Sequence, residues 1–131
     1  MIVTTDIANI LYRDCGAFEI EEVYKKGDVP SGDVLNERVV ISTKEQTPGK
    51  YWKKCFVEVN LCVPDLSEDV ADLARLGELE RLASVLLNDV VSSHEGTPYG
   101  YSVDSTSIEA DTALKCHYVN CKILFEVLNV K

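Results

Sequence analysis

Residues 51–66 read YWKKCFVEVNLCVPDL, and this stretch constrains the fold more than any other. Every second residue from Cys55 onward is apolar: Cys55, Val57, Val59, Leu61 and Val63. The intervening Lys54, Phe56, Glu58, Asn60 and Cys62 are mostly polar. Side chains alternate across a strand, so this is a long strand with one face buried and one face wet. A second alternation lies near the C-terminus, where Val119, Cys121, Ile123, Phe125 and Val127 form an apolar file within KCHYVNCKILFEVLNV. Opposite it stand Tyr118, Asn120, Lys122 and Glu126, interrupted by Leu124 and Leu128.

Two such strands need a layer to cover their apolar faces. Residues 66–92, LSEDVADLARLGELERLASVLLNDVVS, carry a helical stripe of Val70, Leu73, Leu76, Leu79, Ala83, Leu86 and Val90, widened by Leu82 and Leu87. This predicts one long helix, capped by Asp65 or Ser67. Gly77 in its middle costs about 1 kcal/mol against Ala, a cost consistent with close packing on the sheet. Asp72–Arg75 and Glu78–Arg81 mark its solvated side. A shorter helix is expected over 3–13, with Thr4 or Thr5 as cap and Val3, Ile7, Ile10 and Leu11 buried.

The remaining segments fill out a sheet. AFEIEEVY (17–24) predicts a first strand and RVVIST (38–43) a second, with Val39 and Ile41 on one face. KEQTPGK then turns the chain into the strand at 51–63, making an antiparallel hairpin. SHEGTPYG reads as a loop, YSVDSTSIE as a weak strand and ADTAL as a turn before the final strand. The 25–37 stretch KKGDVPSGDVLNE has neither period, and its length in a small domain marks it as a candidate contact surface. The expected architecture is α+β, one domain over 1–131. It has a single, mainly antiparallel sheet of four to five strands packed with one long and one short helix.

At 131 residues and 14.6 kDa, a chain with 46% hydrophobic and 27% charged residues can bury a core without metal or disulfide staples. Its net charge of −9 disfavours a phosphate-gripping role, which rests on a basic face. The N-terminus MIVTTDIANILYRDC has no basic leader and no continuous apolar run, so no signal peptide is expected. No stretch reaches the ~20 apolar residues of a membrane span, and a cytoplasmic location follows as an expectation. Five cysteines is an odd number, against a closed disulfide framework. Cys55/Cys62 and Cys116/Cys121 have odd spacings, so neither pair can share a metal within its own strand.

Catalytic motifs are missing at the level of sequence. His94-Glu95 lacks the second histidine of a zinc-protease helix, and KKGDVPSGD lacks the lysine-serine ending of a phosphate loop. No cofactor and no metal ligand set is expected, nor enzymatic activity. What remains is surface: Trp52, Phe56, Tyr118 and Leu124 lie on the sheet face expected to be wet, with Lys54 beside them. Aromatic anchors with a charged rim are how protein interfaces are built.

The order of elements resembles the tail-terminator, or tail-completion, proteins of long-tailed bacteriophages and prophages. The likeness rests on a short helix, a strand ending near EVYKKGDVP, a loop into NERVVIST, a turn, CFVEVNLCVPD, a Leu/Ala-rich helix and two closing strands, from Thr4 to Val130. The resemblance implies a non-enzymatic subunit that forms a ring, typically a hexamer. Such a ring caps the finished tail tube and offers a surface for joining the head. Its partners would be itself, the tube and head–tail connector proteins, in the host cytoplasm and then the virion. Trp52, Lys54, Phe56, Tyr118 and Leu124 are the residues placed at the subunit or partner interface by the surface reading. Three alternatives stay open: another head–tail neck protein, a small cytoplasmic enzyme or ligand-binding domain with a cleft near His94, Tyr99 and Tyr101, and a bacterial adaptor unrelated to phage.

Overall fold

A computed structural model describes residues 1–128. The elements are α1 (Thr4–Asp14), β1 (Glu22–Lys25), β2 (Arg38–Thr47), β3 (Trp52–Pro64), α2 (Leu73–Leu86), β4 (Val90–His94), β5 (Thr97–Asp111) and β6 (Cys116–Leu128). They make one six-stranded sheet in the order β1-β2-β3-β6-β5-β4. The expected strand at 115–130 is β6 as far as Leu128; residues 129–131 lie outside the described residues.

The sheet corrects the expected fold class. It is mixed and has six strands, because β1 pairs with β2 in parallel while every other pair is antiparallel. The two helices, of 11 and 14 residues, are nearly equal in length. The α+β class itself stands. Parallel neighbours cannot be joined by a tight turn and need a connection of a dozen or so residues. The stretch 26–37 is that connection, so topology alone demands a long loop there.

Three local readings also change. The first strand shrinks to Glu22–Lys25, because Cys15–Phe18 form a 3-10 turn and Glu19 takes a left-handed conformation at φ 59°. The helix expected over 66–92 begins only at Leu73. Before it, Leu66 N–H donates to the Val70 carbonyl and Val70 N–H to Ser67. Asp72, not Asp65 or Ser67, is the cap, accepting from Arg75 N–H at 3.2 Å. At the far end Asp89 turns left-handed (φ 53°) and Asn88 Oδ1 accepts from Val103 N–H at 3.2 Å, tying the chain to β5. Val90 therefore opens a strand.

That strand, β4, pairs with β5 through a two-residue turn at Glu95-Gly96, both at positive φ (49° and 82°). Positive φ at both central residues suits the right-handed twist of a hairpin, and glycine carries it without a Cβ penalty. What read as a loop at 93–100 is mostly hairpin.

The β2–β3 hairpin is present, with β2 running on to Thr47 and a bulge between Thr43 and Gln46. Its tip needs Gly49, where a Cβ would stand 2.4 Å from the Trp52 carbonyl oxygen.

The core lies between the helices and one sheet face. Cys55, Val57, Val59, Leu61 and Val63 of β3 are buried there, as are Val119, Cys121, Ile123, Phe125 and Val127 of β6. α2 supplies Leu76, Leu79 and Ala83, followed by Leu87, while α1 supplies Ile7, Ile10 and Leu11. Val70 and Leu73 of the expected stripe are exposed, since they precede the helix or lie in its first turn. Gly77 makes no close approach to the sheet: an added Cβ there would meet only the Arg81 guanidinium, at 3.8 Å.

Candidate functional site

Among the described residues neither α1 nor α2 covers the second face of β3 and β6. Successive cross-strand pairs on it are Trp52–Leu128, Lys54–Glu126, Phe56–Leu124, Glu58–Lys122, Asn60–Asn120 and Cys62–Tyr118. In the middle the Asn120 amide donates to Asn60 Oδ1 at 2.7 Å. The two ends differ. At one end Val34 of the long loop packs on Cys62 and Cys116, closing a small second cluster with Val40, Leu114 and Tyr118. At the other end nothing among the described residues covers the face.

On that bare end Trp52 is 41% exposed and Phe56 37%. Lys122 Nζ sits 4.2 Å from the Phe56 ring centroid, a cation–π contact. Lys44 pairs with Glu58 at 3.2 Å. Gly100 lies between Val91 of β4 and Glu126 of β6 in the sheet. With no side chain at that position, a depression of about 300 Å³ opens, lined by Trp52, Val91, Pro98, Ser102, Leu124 and Glu126 among others. Val91 is 85% exposed at its rim.

Of the residues singled out in the sequence, Trp52, Lys54, Phe56 and Leu124 come together here. Tyr118 does not; it lies at the loop-covered end opposite Cys62. Burial, and then the Glu109 carboxylate, raise its phenol above the ordinary tyrosine range. Val91 and Gly100 were missed because the first sat inside an apparent helix and the second inside an apparent loop.

The cleft considered around His94 takes a different form. Tyr99 and Tyr101 point into the core and stack on Phe125 at 5.1 and 5.6 Å. Their hydroxyls meet α1: Arg13 Nη2 donates to Tyr99 Oη at 3.2 Å, and Tyr101 donates to Asp14 Oδ2 at 2.6 Å. His94 Nε2 stands 3.7 Å from Asp6. The second histidine, His117, has Nδ1 2.7 Å from Asp65 Oδ1.

The five cysteines are all buried and unbridged. As their spacing implied, Cys55 and Cys121 face the helices, while Cys62 and Cys116 face the other way and meet across strands. Contact with Cys116, followed by burial, pushes the Cys62 thiol up. Burial pushes Cys15 and Cys121 up to about 12. Among the described residues no three His, Cys, Asp or Glu side chains are grouped to hold a metal ion. No helix there is long and apolar enough to cross a membrane.

Comparison with known proteins adds a fold and little else. No protein-family model matches the chain. No curated protein matches it either. A solved structure whose name states no activity superposes with a TM-score of 0.53 at 11% identity, covering 98% of this chain and 95% of the other. At that identity the likeness is one of fold alone.

Proposed function

We propose that this chain is a structural subunit that works by self-association, a ring-forming protein of the phage tail-terminator kind. The observation that supports this reading is the bare end of the sheet. Trp52, Leu124 and Val91 line a depression on an otherwise regular β surface, Phe56 stands opposite Leu124, and Lys54, Lys122, Glu58 and Glu126 lie around them. Large apolar anchors inside a charged rim are the composition of interface centres. A neighbour's side chain seated in the depression over Gly100 would remove them from water. β1 and β4 are the free edges of the sheet, four and five residues long. Exposed edges are a hazard that a closed ring removes, because each subunit covers the next.

In this reading the chain carries out no reaction. The ring would stop tube growth and present a joining surface for the head, in the host cytoplasm and then in the virion. Light scattering after size exclusion, over a hundredfold range of concentration, tests it. The expected result is a closed species of about six subunits; a monomer at every concentration overturns it.

A further inference from the structure

At the loop-covered end of the same face, far along β3 from the bare patch, lies a second cavity of about 200 Å³. Its polar lining is Arg38, Asn60, Tyr118 and Asp111, and its walls include Val29, Val34, Val40 and Leu114. Arg38 is the anomaly. Its side chain is only 7% exposed, yet Nε and Nη1 are buried with no hydrogen-bond partner among the described residues. Nη2 stands 3.7 Å from Glu22 Oε1, beyond hydrogen-bond reach, and that oxygen already accepts from the Tyr24 hydroxyl. The guanidinium rests 5.5 Å from the Tyr24 ring centroid. Buried donors are nearly always satisfied, and a buried cation without a hydrogen-bonded counter-charge is costly.

We propose that this cavity is a binding site for a small monocarboxylate with an aliphatic body, its carboxylate hydrogen-bonded by Arg38. The inference is independent of ring assembly. A planar carboxylate matches a planar guanidinium. Asn60 uses Oδ1 on Asn120, which leaves its amide N–H₂ as a further donor at the cavity. The site offers a ligand a single positive charge. Among the described residues Arg38 is the only cation lining it, and with Asp111 in the lining and Glu22 close by, each further negative charge on a ligand is disfavoured. A phosphate dianion would be left under-compensated inside a chain of net charge −9. The valine and leucine walls call for an apolar body, and the volume, below the usual range of about 300–1,000 Å³ for drug-sized ligands, sets it at a few carbons. Asp111 accepts from Leu114 N–H at 3.3 Å and so holds the turn beneath the cavity. The long loop supplies the lid: Val34 N–H donates to the Leu114 carbonyl at 2.9 Å, and Asp33 pairs with Lys115 at 3.1 Å.

The test is thermal unfolding of the full chain with acetate, pentanoate or inorganic phosphate at matched ionic strength. Pentanoate is expected to raise Tm, by roughly 5 °C at ten times its Kd and logarithmically beyond it. Acetate should do so less well and phosphate not at all. Arg38→Met, which keeps the apolar stem, should unfold no earlier than wild type without ligand and lose the pentanoate response. Val34→Phe, which fills the cavity without touching the charge, should lose it too. Calorimetric titration of wild type with pentanoate gives the same answer should either variant fail to fold. No response to pentanoate, an equal response in Arg38→Met, or an equal response to phosphate would overturn the proposal.

Discussion

The two faces of β3 and β6 are built from the same strands, residue by alternate residue, and they behave differently. The closed face is uniformly apolar, and its ten file residues are all buried under α1 and α2. The second face changes along its length, from a bare aromatic patch, through an asparagine pair, to a cavity under the long loop. A face that is committed to the core permits no variation in polarity. A face that is only partly covered can hold an anchor, a hydrogen bond and a buried cation within one strand. The difference predicts that stability lies on one side of the sheet and recognition on the other.

The sharpest way to break that division is at Phe125, which is fully buried and stacked between Tyr99 and Tyr101. Phe125→Ala is expected to cost 3–5 kcal/mol, read as a lower urea midpoint with an unchanged slope. A cost below about 1 kcal/mol would mean that the closed face is not where the stability lies.

How far the division was legible follows from the same chemistry. Alternation is written into the sequence wherever one face is fully buried, so β3, β6 and their sidedness could be read directly. β4 could not, because Val90 falls at helical spacing from Ala83 and Leu86. The signal against helix was Asn88-Asp89, two residues that favour turns, followed by two β-branched valines. The parallel pairing of β1 is a long-range property that no local period encodes, although the twelve-residue loop was its trace. Trp52 and Phe56 were identifiable because large aromatics on a wet face are conspicuous. Arg38 was not: an arginine opposite Val39 reads as solvated until the loop folds over it.

A second test sits at the seam between α1 and the sheet. Tyr101→Phe removes the hydrogen bond to Asp14 and should cost about 1–2 kcal/mol at pH 7. Burial, and then Asp14, raise the Tyr101 phenol above its ordinary value of 10.0. The native state therefore favours the neutral phenol. That contribution is complete below pH 10 and is lost as pH rises through the native value. Cys15 and Cys121, raised from 9.0 to about 12, act in the same direction from pH 9 upward. Wild-type Tm should therefore fall above pH 9, and the Phe variant should lose less of its stability on the alkaline side. Parallel curves would mean that Tyr101 is not held neutral by its surroundings.

Gly77 sharpens what the closed face requires of its covering layer. It lies on α2 between the buried Leu76 and Leu79 turns, but its own Cβ direction is open apart from Arg81. Gly77→Ala should therefore raise stability by about 0.5–1 kcal/mol, measured by denaturant midpoint. A loss would place a neighbour against that side of the helix.

A modest effect on the folded monomer is expected where the effect on assembly is greatest. Phe56 faces Leu124 on the bare end and is 37% exposed, so Phe56→Asp gives up part of a ring's burial within the subunit but leaves the closed face intact. It does lose the Lys122 contact, but Asp at the same position can pair with that cation. Monomer stability should fall by about 1 kcal/mol, well short of the Phe125 loss. A carboxylate at the centre of an apolar contact loses its water, so self-association should weaken by at least tenfold in Kd, followed by light scattering. Trp52→Ala should act in the same direction more mildly, by removing contact area without adding charge. If both variants associate like wild type while the Phe125 variant unfolds, the closed face keeps its role. The contact between subunits would then have to be sought at the β1 or β4 edge.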